Sequence, residues 1–242
     1  MTTIGSLFSG IGGFELGLER ALPGARTVWQ VEQDVFCQKV LQRHWPAADL
    51  FDDVRAVGSH NLSYVDVICG GFPCQDISVA GGGGGLDGER SGLWWEMCRV
   101  VGEIRPKVVV LENVAALVVR GLREVLGGLA EIGYDAEWTT LSAEQFGAPH
   151  LRKRLFIVAY PVRFGALQQQ EPERRCYSEA VPARNGEGGG QTHWDVNEAP
   201  PLVCGVDDGI PGWMDRHRAL GNAIVPQCAE YVGRCIADAG LL

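Results

Sequence analysis

The sequence predicts an α/β protein built on a mostly parallel sheet with helices on both faces. Short apolar runs of strand length alternate with longer amphipathic segments through the first two thirds of the chain. The 242 residues, 46% of them hydrophobic and 21% charged, suffice for one such domain and a small appendage. This alternation favours strands that are buried between two helical layers.

Hydrophobic periodicity predicts the individual elements. Strands are predicted at residues 3–8, 26–31, 65–69, 107–112, 134–141 and 154–160. Helices are predicted at residues 13–22, 34–45, 92–104 and 122–132. The last of these has its apolar residues on one face, as expected of a helix packed on a sheet: Leu122, Val125, Leu126, Leu129 and Ile132.

The pattern changes after Tyr160. Residues 161–201 contain few apolar side chains and short runs of glutamine and glycine, which are typical of a loop or a loosely folded insert. A closing helix is predicted at residues 223–239, with Pro226 in its first turn. We therefore predict a main domain at residues 1–160, an insert at 161–214 and a segment at 215–242 that returns to the main domain.

Charge and cysteine content restrict the class of protein. The net charge of −9 argues weakly against a polyanionic partner, but basic clusters at residues 152–154 and 216–218 leave nucleic acid open. Eight cysteines without Cys-x-x-Cys spacing indicate reduced thiols rather than a disulfide framework or a zinc site. Because no secretion signal or membrane-length apolar run occurs, we predict a cytoplasmic protein with no membrane contact and no metal.

A glycine-rich turn follows the first strand, at residues 8–14. Glycines there let the backbone approach a ligand at a helix N-terminus, although packing alone also explains many such turns. The dinucleotide fingerprint would place a third glycine where Glu15 stands. Glu32 follows the second strand, where an acidic residue meets ribose hydroxyls in nucleotide-binding folds, unless it is simply a solvated carboxylate. The two features favour a cofactor that contains adenosine.

Three further signals fall at strand ends. Cys74 follows Pro73 just after the strand at 65–69, where a thiolate would be a strong nucleophile rather than a packing residue. Glu112 ends the strand at 107–112, where partial burial would raise its pKa and suit it to proton sharing, unless it is a charge at a helix N-terminus. Arg152 and Arg154 alternate along an extended segment, and their guanidinium groups suit a phosphate or a carbonyl oxygen. An exposed basic loop is the alternative for this pair.

These motifs, taken in order, resemble those of C5-cytosine DNA methyltransferases. The motifs are residues 8–13, Pro73-Cys74-Gln75, Glu112-Asn113-Val114, Arg152-x-Arg154 and residues 221–226. The separation of Pro-Cys-Gln from Glu-Asn-Val is highly specific to this family. The resemblance covers roughly residues 1–160 and 215–242, and residues 92–96 and 208–222 are similar to the short enzymes of phages and prophages.

The resemblance implies a Rossmann-like S-adenosylmethionine-dependent methyltransferase fold with a reduced target-recognition insert. Double-stranded DNA would be the partner, with a monomer expected, and its cytosine would be flipped out of the duplex. Cys74 would attack carbon 6, Glu112 would engage N3, and carbon 5 would accept the methyl group. Arg154 would bind O2 of the base, and Arg152 would help to hold Glu112 or the nearby backbone. Pro73 and Asn113 would shape the pocket.

The family's cofactor positions carry over to Phe8, Gly10, Gly12, Glu32, Asp53 and Asn222. Among these, Glu32 would lie on the ribose of S-adenosylmethionine and Asp53 near the adenine. Residues 78–90, which include five consecutive glycines, correspond to the family's mobile active-site loop, unless they form a plain linker. Either a very small element around Trp194 and residues 207–213 would recognise the DNA sequence, or recognition would be loose or supplied by a partner.

Three alternatives remain beside a DNA methyltransferase of a restriction-modification or prophage system. The same chemistry on RNA is the nearest, because one branch of the fold family modifies transfer RNA. A non-catalytic DNA-binding relic would have no chemical need for Cys74, Glu112 and Arg154 together. A nucleotide-dependent oxidoreductase conflicts with Glu15 and leaves Pro73-Cys74-Gln75 without a role.

Overall fold

The computed structural model describes residues 1–73, 92–162 and 220–242. The strands of these segments are β1 (Thr3–Leu7), β2 (Arg26–Val31), β3 (Asp49–Phe51), β4 (Val67–Gly70), β5 (Val108–Val114), β6 (Tyr134–Ser142) and β7 (Lys153–Pro161). The α-helices are α1 (Gly13–Ala21), α2 (Val35–His44), α3 (Gly92–Ile104), α4 (Leu117–Arg120), α5 (Leu122–Glu131) and α6 (Pro226–Asp238). Two short 3-10 helices lie at Val54–Ala56 and Ala143–Phe146.

The seven strands form one sheet in the order β3-β2-β1-β4-β5-β7-β6. The pairs from β3 to β5 are all parallel, whereas β7 runs antiparallel to both β5 and β6. The predicted mostly parallel sheet is therefore confirmed. Because β7 is reversed, it begins at the edge of the sheet where β5 ends.

Both faces of the sheet are covered by helices, as the near-continuous apolar strands predict. Along β5, Val108 and Val110 belong to one core cluster, and Val109 and Leu111 belong to the other. This alternation is the period of two expected of a strand buried on both sides. One cluster is completed by α3 and α5, and the other by α1 and α6.

Helices α1 and α6 pack closely, which joins the start of the chain to residues 226–238. A Cβ added at Gly17 would lie 2.4 Å from the carbonyl oxygen of Pro226 and 2.6 Å from Cβ of Ala229. No larger side chain fits at Gly17 without moving α6, since real Cβ atoms do not approach so closely. The predicted division into domains at 160 and 215 stays a prediction.

Several boundaries differ from those predicted from sequence. Strand β3 and helix α4 were not predicted, because elements of three and four residues are too short to show a periodicity. The last helix begins at Pro226 rather than at residue 223, because a residue that precedes proline is disfavoured in helical conformation. Strand β5 continues to Val114, so Glu112 lies two residues before its end rather than at its end, and Asn113 lies inside the strand.

No helix in residues 1–73, 92–162 or 220–242 is long and apolar enough to cross a membrane. The cysteines of these segments are free, and four of them are buried: Cys37, Cys69, Cys98 and Cys228. Residue Cys74, the loop predicted at 78–90 and the insert beyond Val162 lie outside the described residues.

Candidate active site

A cavity of about 940 Å³ opens at the carboxyl ends of β1, β2, β4 and β5. This is the edge where open α/β sheets bind ligands. Ten of the residues predicted from sequence line it together: Phe8, Gly10, Glu32, Asp53, Pro73, Glu112, Asn113, Arg152, Arg154 and Asn222. Gly12 is not among the lining residues, and Cys74 lies outside the described part of the chain.

The glycine-rich turn is held in a left-handed conformation. Phe8, Gly10 and Gly12 have φ angles of 55°, 56° and 88°. Such angles are strained for phenylalanine and cluster at ligand sites, whereas glycine adopts them readily. A Cβ at Gly12 would lie 2.3 Å from the ring of Trp45, so no larger side chain fits at this position, and the assignment of Gly12 to the cofactor stays a prediction.

Glu32 anchors the same turn from the end of β2. One carboxylate oxygen accepts a hydrogen bond from the N–H of Gly10 at 2.7 Å, and the other accepts from the N–H of Asp34 at 2.8 Å. Each oxygen of a carboxylate can accept a second hydrogen bond. Glu32 can therefore hold the turn and bind a hydroxyl group in the cavity at the same time.

Asp53 begins the 3-10 helix Val54–Ala56 on another wall of the cavity. Its Oδ1 accepts a hydrogen bond from the N–H of Arg55 at 2.9 Å. Asp52 lines the cavity beside Asp53, so the wall carries two carboxylates, of which only Asp53 was predicted from the sequence. The adjacent pair of aspartates was the signal in the sequence that could have indicated both.

Glu112 and Arg154 form an ion pair, with Oε1 of Glu112 3.0 Å from Nε of Arg154. Glu112 is only 8% exposed. Burial raises the pKa of its carboxyl group to about 7, although the positive charges of Arg154 and Arg152 oppose the shift. The sequence predicted a raised pKa at this position. Near neutral pH the group is therefore divided between its charged and protonated forms, which suits it to proton sharing.

Asn113 and Arg152 fix the backbone around the carboxylate. The Asn113 amide donates to the carbonyl of Phe72 at 3.1 Å, which orders the chain just before Pro73. Arg152 donates to the carbonyls of Gly221 and Ala223 at 2.8 and 2.5 Å. Arg152 thus bonds backbone carbonyls, whereas Glu112 forms its ion pair with Arg154, and the role predicted for Arg152 in the reaction stays a prediction.

Some residues that line the cavity were not predicted from the sequence. They include Phe72, whose ring is tilted against that of Trp94 with 5.1 Å between the ring centroids, and Leu93 at the start of α3. Phe72 is an apolar residue two positions before Cys74, and this position in the sequence could have indicated that it lines the cavity. In the described segments, no group of three or more His, Cys, Asp or Glu side chains is arranged to hold a metal ion.

Comparison with known proteins places these features in a family. The family model described as C-5 cytosine-specific DNA methylase matches residues 2–195. The type II methyltransferase M2.BsuMI of Bacillus subtilis is 32% identical over 225 residues, which cover 85% of this chain and 57% of that protein. The type II methyltransferase M.CviJI of Paramecium bursaria Chlorella virus IL3A is 32% identical over 227 residues, covering 93% and 56%.

A solved structure is similar in fold. It is an E. coli prophage protein described as a DNA modification methyltransferase, with 26% identity and a TM-score of 0.56. The match covers 66% of this chain and 47% of the other. The chain thus spans little more than half the length of the two curated relatives, at 57% and 56%.

Proposed function

The chain belongs to the C-5 cytosine-specific DNA methylase family, and from this premise we propose that it methylates carbon 5 of cytosine in DNA with S-adenosylmethionine. The observation that carries the proposal is the shared cavity. It is lined both by the Glu112–Arg154 ion pair and by the turn that Glu32 anchors. Methyl transfer needs a reactive base and a methyl donor side by side, and one cavity of about 940 Å³ can hold both.

The cavity walls suit a cationic nucleoside such as S-adenosylmethionine. Glu32, Asp52 and Asp53 offer carboxylates to its positive charge and its ribose hydroxyls. A Cβ built at Gly10 would meet no atom within 4 Å, so there is open space beside the turn. When bound, S-adenosylmethionine supplies an electrophilic methyl group. The cofactor would be bound and oriented by Phe8, Gly10 and these carboxylates, and Asn222 would complete the wall of the cavity.

Cytosine activation would depend on Cys74 and Glu112. Pro73, the residue before Cys74, lines the cavity. The Cys74 thiolate would form a bond to carbon 6, while Glu112 shares its proton with N3 and neutralises the charge that develops on the ring. Carbon 5 would then bond to the methyl carbon as the bond between that carbon and the donor's sulfur breaks, so that the donor leaves as a neutral thioether. Transfer of the proton from carbon 5 to water would expel the Cys74 thiolate, while N3 returns its proton to Glu112 and the aromatic ring is restored.

Arg154 would orient this reaction through two contacts. It holds Glu112 by the ion pair at 3.0 Å, and its guanidinium also lines the cavity where O2 of the base would lie. A guanidinium presents five donors, so one side chain can serve both acceptors. Double-stranded DNA is the proposed partner, with residues 161–214 as a reduced recognition insert. The relatives are named type II methyltransferases, which supports a role in DNA modification.

The direct test is to incubate the purified protein with S-adenosylmethionine and unmethylated duplex DNA, and to map 5-methylcytosine at base resolution. Methylation in one repeated sequence context is the expected result. A parallel reaction on transfer RNA tests the alternative substrate. Methylated RNA with unmodified DNA would contradict the proposed substrate, and cofactor binding without any transfer would favour a non-catalytic relic.

A further inference from the structure

Helix α3 and the loop at residues 52–58 form two walls of the proposed cofactor cavity. Leu93 lines the cavity from the first turn of α3, and Asp53 lines it from the loop. Arg99 connects the two elements two turns further along the helix. Its Nη2 donates to the carbonyl oxygens of Val54 and Val57 at 3.1 and 2.9 Å.

The Arg99 guanidinium is itself fixed on both sides by carboxylates of α3. Its Nε donates to Glu96 at 2.8 Å, and its Nη1 donates to Glu103 at 2.8 Å. The other oxygen of Glu103 accepts from the N–H of Ser59 at 2.9 Å. A Cβ at Gly58 would lie only 2.3 Å from that oxygen, so the loop approaches α3 closely here.

The hydrogen bonds from Arg99 supply donors to backbone carbonyl groups that a short helix leaves without partners. A 3-10 helix of three residues cannot satisfy the carbonyls at its own end, and Arg99 provides donors for them. The loop is also held by the buried side chains of Val54 and Val57. Loss of Arg99 should therefore leave the loop folded, but the cavity wall that the loop forms should lose its fixed position.

We propose that Arg99 is a positioning residue that fixes the wall carrying Asp53 for the adenosine part of S-adenosylmethionine. The inference rests on the proposed function, and it assigns to a residue outside the cavity a role in cofactor affinity. Arg99 does not line the cavity itself, so its effect is transmitted through the backbone of residues 54–57. A change at Arg99 should therefore alter cofactor binding more than the chemical step.

The test compares Arg99→Met with Arg234→Met, using S-adenosylmethionine titrations by calorimetry together with kcat and KM. Arg234 makes a similar i,i+4 ion pair with Glu230, and within the described residues its only hydrogen bond is to that carboxylate. We expect Arg99→Met to raise the cofactor Kd and KM by about 10-fold, the size expected when hydrogen bonds to a charged group are lost. At saturating cofactor, kcat should change by less than about two-fold. Arg234→Met should leave all three values unchanged.

Two further variants keep the test decisive if Arg99→Met does not fold. Arg99→Lys retains the charge but cannot reach two carboxylates and two carbonyls together, so it should give an intermediate Kd. Glu103→Gln weakens only the contact between Arg99 and Glu103, so it should raise the cofactor Kd less than Arg99→Met does. A wild-type Kd in the Arg99 variants, or a fall in kcat with an unchanged KM, would overturn the role of Arg99 alone. Absence of cofactor binding by the wild-type protein would overturn the proposed function as well.

Discussion

Arg154 lies at the start of β7, yet its Nε is 3.0 Å from Oε1 of Glu112 at the end of β5. The contact is diagonal, since Arg154 is directly opposite Val114 and Glu112 is opposite Phe156. Only an antiparallel neighbour brings its first residues to the end of the preceding strand. The reversal of β7 in an otherwise parallel sheet is therefore what places this cation in the cavity.

Substitution Glu112→Gln should slow methyl transfer by about 100-fold or more, because an amide cannot share a proton with N3 of the base. Cofactor affinity should remain normal, and single-turnover kinetics with calorimetry would measure the two quantities. Glu137→Gln is a matched control, since Glu137 on the edge strand β6 accepts a hydrogen bond from the Tyr160 hydroxyl and does not line the cavity. A near-normal rate for Glu112→Gln would remove this carboxyl group from the mechanism.

Substitution Cys74→Ser should abolish transfer while cofactor binding is retained, because a hydroxyl group is far less nucleophilic than a thiolate at neutral pH. Trapping on DNA that contains 5-fluorocytosine provides the measurement, since a covalent complex forms only with an attacking thiolate. Cys235→Ser on α6 is the control and should still be trapped. Substantial transfer by Cys74→Ser would disprove the covalent mechanism.

The buried carboxyl group of Glu112 should make stability depend on pH. Burial raises its pKa from 4.5 to about 7, so the folded protein holds a proton that the unfolded chain releases in this interval. The free energy of unfolding should therefore fall as pH rises through this window, by about 3 kcal/mol from this group. Urea denaturation at about pH 5 and about pH 8 measures the change. Glu112→Gln should lose this component, and an equal pH dependence in both proteins would contradict the prediction.

Substitution Arg152→Met should release the segment that carries Asn222. The side chain loses its hydrogen bonds to the carbonyls of Gly221 and Ala223, which should cost about 1–3 kcal/mol. Amide hydrogen exchange at residues 220–225 should accelerate. Arg154→Met is the paired control, because it breaks the ion pair with Glu112 and leaves these carbonyl contacts intact. Equal exchange rates in the two variants would refute the assignment.

The amino-acid sequence predicts most of the sheet and the position of the cavity, because both follow from local patterns. Hydrophobic periodicity marks long strands, and parallel strands present their following residues at one edge. Glu32, Pro73 and Glu112 each follow or end such a strand, so their convergence could be expected. The roles of individual residues in catalysis and binding stay predictions.

Details that depend on tertiary contact could not be predicted in the same way. Alternation along an extended segment did not indicate which arginine pairs with Glu112, because Arg152 has a φ of 28° and departs from strand geometry. Gly12 was assigned to the cofactor by its place in a motif, but its neighbour is the ring of Trp45 at the end of α2. The contact of Arg99 with Val54 and Val57 joins residues more than 40 positions apart.

The packing of α1 against α6 also has a consequence for synthesis on the ribosome. Phe14 and Leu18 of α1 are buried in the same cluster as Val232 and Ile236 of α6. Until residues 226–238 emerge from the exit tunnel, the part of this surface that packs on α6 is uncovered, although the sheet covers the rest. Contacts between such distant residues also form slowly, because a long loop must close first. The incomplete chain is therefore the stage at which we expect this apolar face of α1 to be open to aggregation.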